Sequence, residues 1–278
     1  MTEGGNEENT SEEVEENTSE DNGDVVTEPY NPKYELAEGL DYTVNVSRTD
    51  CTIVGIGTCE LTEFSIPDEI DGCGVTSIRA YAFYNCGSIT NVEIPETVTS
   101  IGESAFFCCS SLTSINIPDG VTCIEYLVFS GCSNLTSIDI PDGVTDIKEL
   151  AFQACSSLTS INIPDGVTSI GYGAFQGCSN LTNVNIPSGV TSIEFETFKN
   201  CSSLTNINIP DGVTSIDGHA FDGCTSLTSI NIPSSVTSID EYAFSGCTSL
   251  TSIKVSSGSY AETWAQDNGF GDIIEYID

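Results

Sequence analysis

Basic residues are almost missing from this chain. Six Lys and Arg stand against 42 Asp and Glu in 278 residues, a formal net charge of −36. Nucleic acid and anionic membrane surfaces both demand basic patches, so neither is an expected partner. Histidine occurs once, as His219, between Gly218 and Ala220, at a position that reads as a solvated face. No nucleophile, histidine and acid motif accompanies it, and Gly55-Ile56-Gly57 has no third glycine in register, so it reads as a turn. A non-enzyme is expected. No run of 18 apolar residues occurs, so nothing here reads as a membrane-spanning helix. Apolar stripes at helical spacing are also missing, which argues against helices through most of the chain. Cysteine is plentiful, at 13 residues, but paired C-x-x-C spacing is not, and a single file of thiols offers no tetrahedral site. No metal and no cofactor are expected.

What is present is a period. Cys86, Cys109, Cys132, Cys155, Cys178, Cys201, Cys224 and Cys247 stand 23 residues apart. From Ile89 to Ser249 the chain is seven consecutive 23-residue units, preceded by an imperfect 28-residue unit, Leu61 to Ser88, and followed by a half unit from Leu250. A fixed period of this length marks a solenoid, whose coils bury a continuous core only by stacking. In the unit Leu158 to Asn180 the apolar positions are Leu158, Ile161, Ile163, Val167, Ile170, Phe175 and Cys178. Leu158 to Ile163 is β-branched and alternates, so it reads as a short strand with one face buried. Pro164-Asp165-Gly166 turns the chain, Val167 to Ile170 reads as a second short strand, and Ala174-Phe175 to Cys178 as a tight, irregular corner. The expected fold is a parallel, β-rich solenoid.

The pattern L-T-S-I-x-I-P-x-x-V-T-x-I-x-x-x-A-F-x-x-C-S-x resembles the BspA-like class of leucine-rich repeat, most clearly in Leu112–Asn134, Leu158–Asn180, Leu204–Ser226 and Leu227–Ser249. The resemblance spans about Leu61 to Val255 and implies a leucine-rich repeat superhelix of parallel short strands, with little helix except a C-terminal cap. It further implies a secreted or cell-surface protein tied to adhesion to host or neighbouring-cell proteins. The segment GSYAETWAQDNG, Gly258 to Gly269, also resembles the closing segment of such proteins: Ser259 to Asn268 carries capping and helix-forming residues, with Gly269 ending the helix.

Domain expectations follow. Residues 1–29 form an acidic, disordered linker, since Met1 to Glu28 holds eleven acids and no Lys or Arg; it reads as lying downstream of a removed signal peptide. Residues 30–60 form an N-terminal β cap with strands at Tyr42–Val46 and Cys51–Ile56, residues 61–257 the solenoid, and 258–278 the C-terminal cap. The eight in-register cysteines read as a structural ladder of buried thiols: equivalent residues on stacked coils have parallel Cα–Cβ vectors, awkward for disulfides. Cys51 and Cys59 are the candidate bridge in the cap.

Function in such an array belongs on columns that vary or face solvent while the core repeats. One candidate is the strand face, with Asn116, Asn162, Asn185, Asn208 and Asn231 flanked by Glu93, Asp139 and Lys254; its amides either bond up the stack or are free for a ligand. The other is the convex corner, with Tyr81, Tyr126, Tyr172, Phe195, His219 and Tyr242 beside carboxylates. Exposed aromatics suit protein contacts, and partly buried corner packing is the alternative. Asp119, Asp142, Asp165 and Asp211 share the turn column, where turn chemistry accounts for Asp and a Ca²⁺ bridge is the weaker reading. The leading functional expectation is a monomeric extracellular module binding a host matrix or cell-surface protein. A structural spacer or self-associating surface element is the alternative, and an intracellular interaction scaffold the third.

Overall fold

A computed structural model describes residues 37–58 and 60–277. All of them fall in one compact unit, Asn31–Asp278. The linker expected at 1–29 and the Cys51–Cys59 pairing both involve positions outside the described residues.

Most coils contribute two very short strands, such as Asn206–Asn208 and Ser215–Ile216. Both run parallel to their equivalents 23 residues on: Ile207 pairs with Ile230, and Ile216 with Ile239. The inward Ile or Val of each repeat strand is buried next to polar neighbours, so hydrophobic alternation sets the register. The strands are shorter than the sequence predicted because turns claim their ends. The Val167 N–H donates to the Pro164 carbonyl at 3.0 Å, closing the turn at Pro164-Asp165-Gly166. The same bond closes Pro187-Ser188-Gly189-Val190 at 3.1 Å, so Asp is not required there. Threonine hydroxyls add a side-chain ladder; Thr113 and Thr182 donate to the carbonyls of Thr90 and Thr159.

The corner differs from the expectation of irregularity. Most coils place two residues in the left-handed region. The first column runs Tyr81, Ser104, Leu127, Leu150, Gly173, Glu196, His219, with φ between 55° and 63°. The second runs Asn85, Cys108, Gly131, Ala154, Gly177, Asn200, Gly223, Gly246, with φ between 56° and 77°. These kinks turn the backbone N–H groups along the stack: Phe152 and Ala154 donate to the next coil's Ala174 and Gln176 carbonyls at 2.9 and 2.7 Å. The corner is therefore a third hydrogen-bonded ladder made of turns, and its bonds offset the cost of about 1–2 kcal/mol that a side chain meets in this conformation.

Inside, eight phenylalanines from Phe64's neighbour Phe83 to Phe244 stack with ring centroids 5.0 to 5.8 Å apart. The cysteine ladder lies beside them. Its thiols are free and mostly buried, and each S–H from Cys109 to Cys247 donates to a Phe carbonyl one coil earlier, as Cys178 does to Phe152 at 3.2 Å. Cysteine thus fills space and satisfies a buried acceptor.

Both ends of the described solenoid are covered. Asp41–Val44 pairs antiparallel with Asp50–Gly55, which joins Cys73–Ile78 in parallel. The extra length of the 28-residue unit is a hairpin, Glu69–Ile70 against Cys73, turned at Asp71-Gly72 with φ of 53° and 78°; two positive φ values are what a type I′ hairpin turn needs. At the other end, helix Tyr260–Asp267 starts at Ser259, whose hydroxyl accepts from the Glu262 N–H. Its Trp264 continues the Phe stack, 5.6 Å from Phe244. The chain then forms a strand absent from the sequence expectation, Ile274–Tyr276, parallel to Ser252–Val255.

Candidate binding surfaces

The strand face is uneven. Asn162, Asn185 and Asn208 are exposed, while Asn116 and Asn231 are half-buried. Among the described residues no side-chain bond joins one of these amides to another, and at Asn208 and Asn231 the backbone does the pairing. Asn116 behaves differently. Its amide oxygen accepts from the Ile94 N–H and its nitrogen donates to the Ile94 carbonyl, both at 2.7 Å. That side chain takes the place of main-chain pairing, and on this face the next coil forms an isolated bridge, Asp139 to Asn162, in place of a strand. A cleft of about 310 Å³ opens there, lined by Glu93, Ser114, Asn116 and Asp139.

At the corner the structure separates the six aromatic candidates. Tyr81 lies near the N-terminal end, donating its hydroxyl to Glu103 at 3.1 Å; that hydrogen bond, then the carboxylate's charge, raises its pKa. Tyr84 and Phe107, which the sequence reading did not single out, complete this cluster, with rings stacked 4.9 Å apart. Tyr126 is exposed and joins no ring stack among the described residues. Tyr172, Phe195, His219 and Tyr242 come together across four consecutive coils, with successive ring centroids 5.9, 5.7 and 5.5 Å apart. The three carbocyclic rings of this run are 39%, 44% and 52% exposed, too open for core packing.

The run is continuous only because of a column shift. Tyr172 and Phe195 occupy one column, His219 and Tyr242 the next. Gly218 stands where a third ring would be. A Cβ there would lie 3.2 Å from the Phe195 Cδ2, so the glycine is the seat on which that ring rests. Nothing in the repeat pattern flags Gly218; only the packed ring does.

Carboxylates border the rings. Glu194, Asp217 and Asp240 form one column beside them, and a cleft of about 580 Å³ is lined by Phe195, Asp217, Gly218, Asp240 and Glu241. Burial, then the charge of Glu194, holds the Asp217 carboxyl above its ordinary pKa; a hydrogen bond from Ser215 opposes the shift and Asp240 adds to it. On the other flank Gln153 donates to Gln176, Gln176 to Glu196, and Lys199 to Glu196 at 2.5 Å. The His219 Nδ1 lies 3.1 Å from Asp222. Lys199 is therefore already engaged, between Glu196 and Asp222.

Burial disfavours the thiolate, the nucleophilic form, along the ladder. Burial pushes Cys109 and Cys178 up to about 12, and Cys132, Cys155, Cys201 and Cys224 well above the usual thiol range. Among the described residues no group of three or more His, Cys, Asp or Glu is placed to hold a metal ion. No helix among them is long and apolar enough to cross a membrane.

A family model described as a BspA type leucine rich repeat region matches residues 57–182 and 168–265, in six copies. The chain belongs to this BspA-type family. A leucine-rich repeat protein of T. pallidum is 30% identical to this BspA-type chain, with a TM-score of 0.62 over 69% of it and 89% of the relative. A leucine-rich repeat protein from Bacteroides ovatus is 25% identical, with a TM-score of 0.62 over 86% of this chain and 76% of that one. No curated protein matches the chain. Both neighbours share the solenoid of parallel strands, and proteins of this repeat family are generally non-catalytic protein-interaction modules.

Proposed function

We propose that this BspA-type chain is a non-catalytic module, displayed outside the cell, that binds a protein partner through its corner. The observation that carries the reading is the exposed ring run Tyr172, Phe195, His219, Tyr242. Rings spaced along a rigid ladder give contact area at little entropic cost, which is what interface hot spots require. The core columns need none of these four residues, since the buried Phe and Cys stacks run past them unbroken. Covered ends favour a discrete unit over an end-to-end polymer, so the spacer reading has less support. Extracellular display rests on the family, whose members are described as cell surface proteins.

The test is surface binding of the full chain to a panel of matrix and cell-surface proteins. A Tyr172→Ser/Phe195→Ser/Tyr242→Ser variant and an Asn162→Ala/Asn185→Ala/Asn208→Ala variant run beside it. Saturable binding that only the ring variant loses, by about tenfold or more, supports the corner. Loss only in the asparagine variant would move the site to the strand face. Absence of saturable binding, with self-association in the same buffer, would favour the spacer.

A further inference from the structure

Building on that reading, we propose that the partner presents an extended, arginine-bearing segment, whose guanidinium groups lie over the Tyr172–Phe195–His219–Tyr242 run and face the Glu194–Asp217–Asp240 row. Two features of the same surface meet here. The rings follow one another along the solenoid with centroids 5.5 to 5.9 Å apart, Tyr172 tilted on Phe195, Phe195 edge-on to His219 and His219 stacked on Tyr242, and the Tyr and Phe rings are exposed. Alternate residues of an extended peptide repeat about every 6.6 Å, close enough for flexible side chains to address successive rings. The carboxylates supply the complementary charge along the same edge. Lys199, the nearby cation, is held by Glu196 and Asp222 and does not neutralise that row.

Charge and π-face together select the guanidinium. A carboxylate row alone would accept lysine as readily, and bare rings would favour apolar segments. Arginine stacks on an aromatic face while its fork of donors reaches a carboxylate; an ammonium is a compact, strongly hydrated point charge that does the first poorly. Asp217 adds to the attraction for a cation of either kind. Its carboxyl is crowded by Glu194 and Asp240 and partly buried, so an incoming cation relieves repulsion already present in the fold.

The experiment uses the full chain and a fluorescein-labelled peptide of alternating arginine and glycine, with its lysine analogue. Anisotropy titrations are run near 0.15 M salt, where exposed charges beyond about 8 Å are screened. The arginine peptide is expected to bind about fivefold tighter than the lysine peptide. Glu194→Gln/Asp217→Asn/Asp240→Asn should weaken it about tenfold or more, whereas Asp119→Asn/Asp142→Asn/Asp165→Asn, which removes the same charge from the turns, should change it less than about twofold. Phe195→Leu/Tyr242→Leu, which leaves the charge intact, should lose about fivefold. Equal losses in the two charge variants, equal affinity for both peptides, an unaffected leucine variant, or no binding would each overturn the proposal. If the peptide fails while the panel partner is still lost by the ring variant, only the arginine chemistry is wrong. If the ring variant loses neither, the corner reading falls too.

Discussion

The coils Leu158–Asn180 and Leu204–Ser226 bury the same residues and show different ones. Inside, Leu158, Ile161, Val167, Ile170, Phe175 and Cys178 have their counterparts in Leu204, Ile207, Val213, Ile216, Phe221 and Cys224, all buried. At the corner, Gly171-Tyr172-Gly173 in one coil becomes Asp217-Gly218-His219 in the other. Each buried column touches its own copies on both sides, so a change of volume in one coil is felt in three. The corner side chains meet solvent, and its backbone ladder holds whichever residue occupies the position. Variation is tolerated there for a physical reason, and recognition is free to use it.

The sharpest way to break the comparison is to truncate one ring from each region of a single coil. Phe175 is fully buried between Phe152 and Phe198, with centroids 5.6 Å away on each side. Phe175→Ala should cost about 3–5 kcal/mol in urea unfolding. Tyr172→Ala, three residues earlier and 39% exposed, should stay within about 0.5 kcal/mol. Similar losses would mean that the corner ring belongs to the core after all.

Thiol labelling sharpens the same contrast chemically. At pH 8 the half-buried Cys108 should be modified in the native protein. Cys132, Cys155, Cys178 and Cys201, fully buried and with raised pKa, should lag by about a hundredfold or more, reacting only through unfolded or locally opened coils. Mass spectrometry of the labelled peptides reads the order, and early labelling of Cys178 would show that the ladder opens locally.

Much of this architecture was legible in the sequence, because a solenoid writes its core as a period. Ile161, Phe175 and Cys178 could be assigned as buried from spacing alone, and Ser259 announced the closing helix through its capping chemistry. Three features were hidden. Left-handed residues at Leu127, Leu150 and Ala154 carry no local signature, since the conformation is imposed by hydrogen bonds to the next coil. The strand Ile274–Tyr276 is too short to show a period and forms because Ser252–Val255 offers an open edge. The sequence marks the aromatic candidates singly, but their grouping rests on the Phe195 ring seated over Gly218, a contact between columns that no spacing within a column reveals.

Left-handed corner residues offer a gentler test. Ala154 is exposed with φ of 57°, in a column where Gly131, Gly177, Gly223 and Gly246 stand elsewhere. Ala154→Gly should raise stability by about 1 kcal/mol, because the relief of Cβ strain exceeds the entropy glycine loses. The expected sign is opposite to that of a glycine placed in an ordinary strand. A fall in the urea midpoint would show that the corner ladder tolerates the side chain at no cost.

The smallest effect bears most directly on function. Asp217 has a folded-state pKa raised by burial and by Glu194, so its ionisation opposes folding. The stability of the protonated form is fully present below the ordinary carboxylate pKa of about 3.9 and is lost as pH rises through the raised value. Asp217→Asn removes that penalty and keeps a group able to bond Ser215. The variant should therefore melt slightly higher than wild type at pH 7, with the difference closing as pH falls through the carboxylate range. Arginine-peptide affinity should move the opposite way, falling at pH 7 in a protein that has become more stable. A residue kept for packing would lose stability when replaced, and one kept only for solubility would leave peptide affinity unchanged. Higher melting with weaker binding is the combination expected of a side chain held at the corner for a cationic partner.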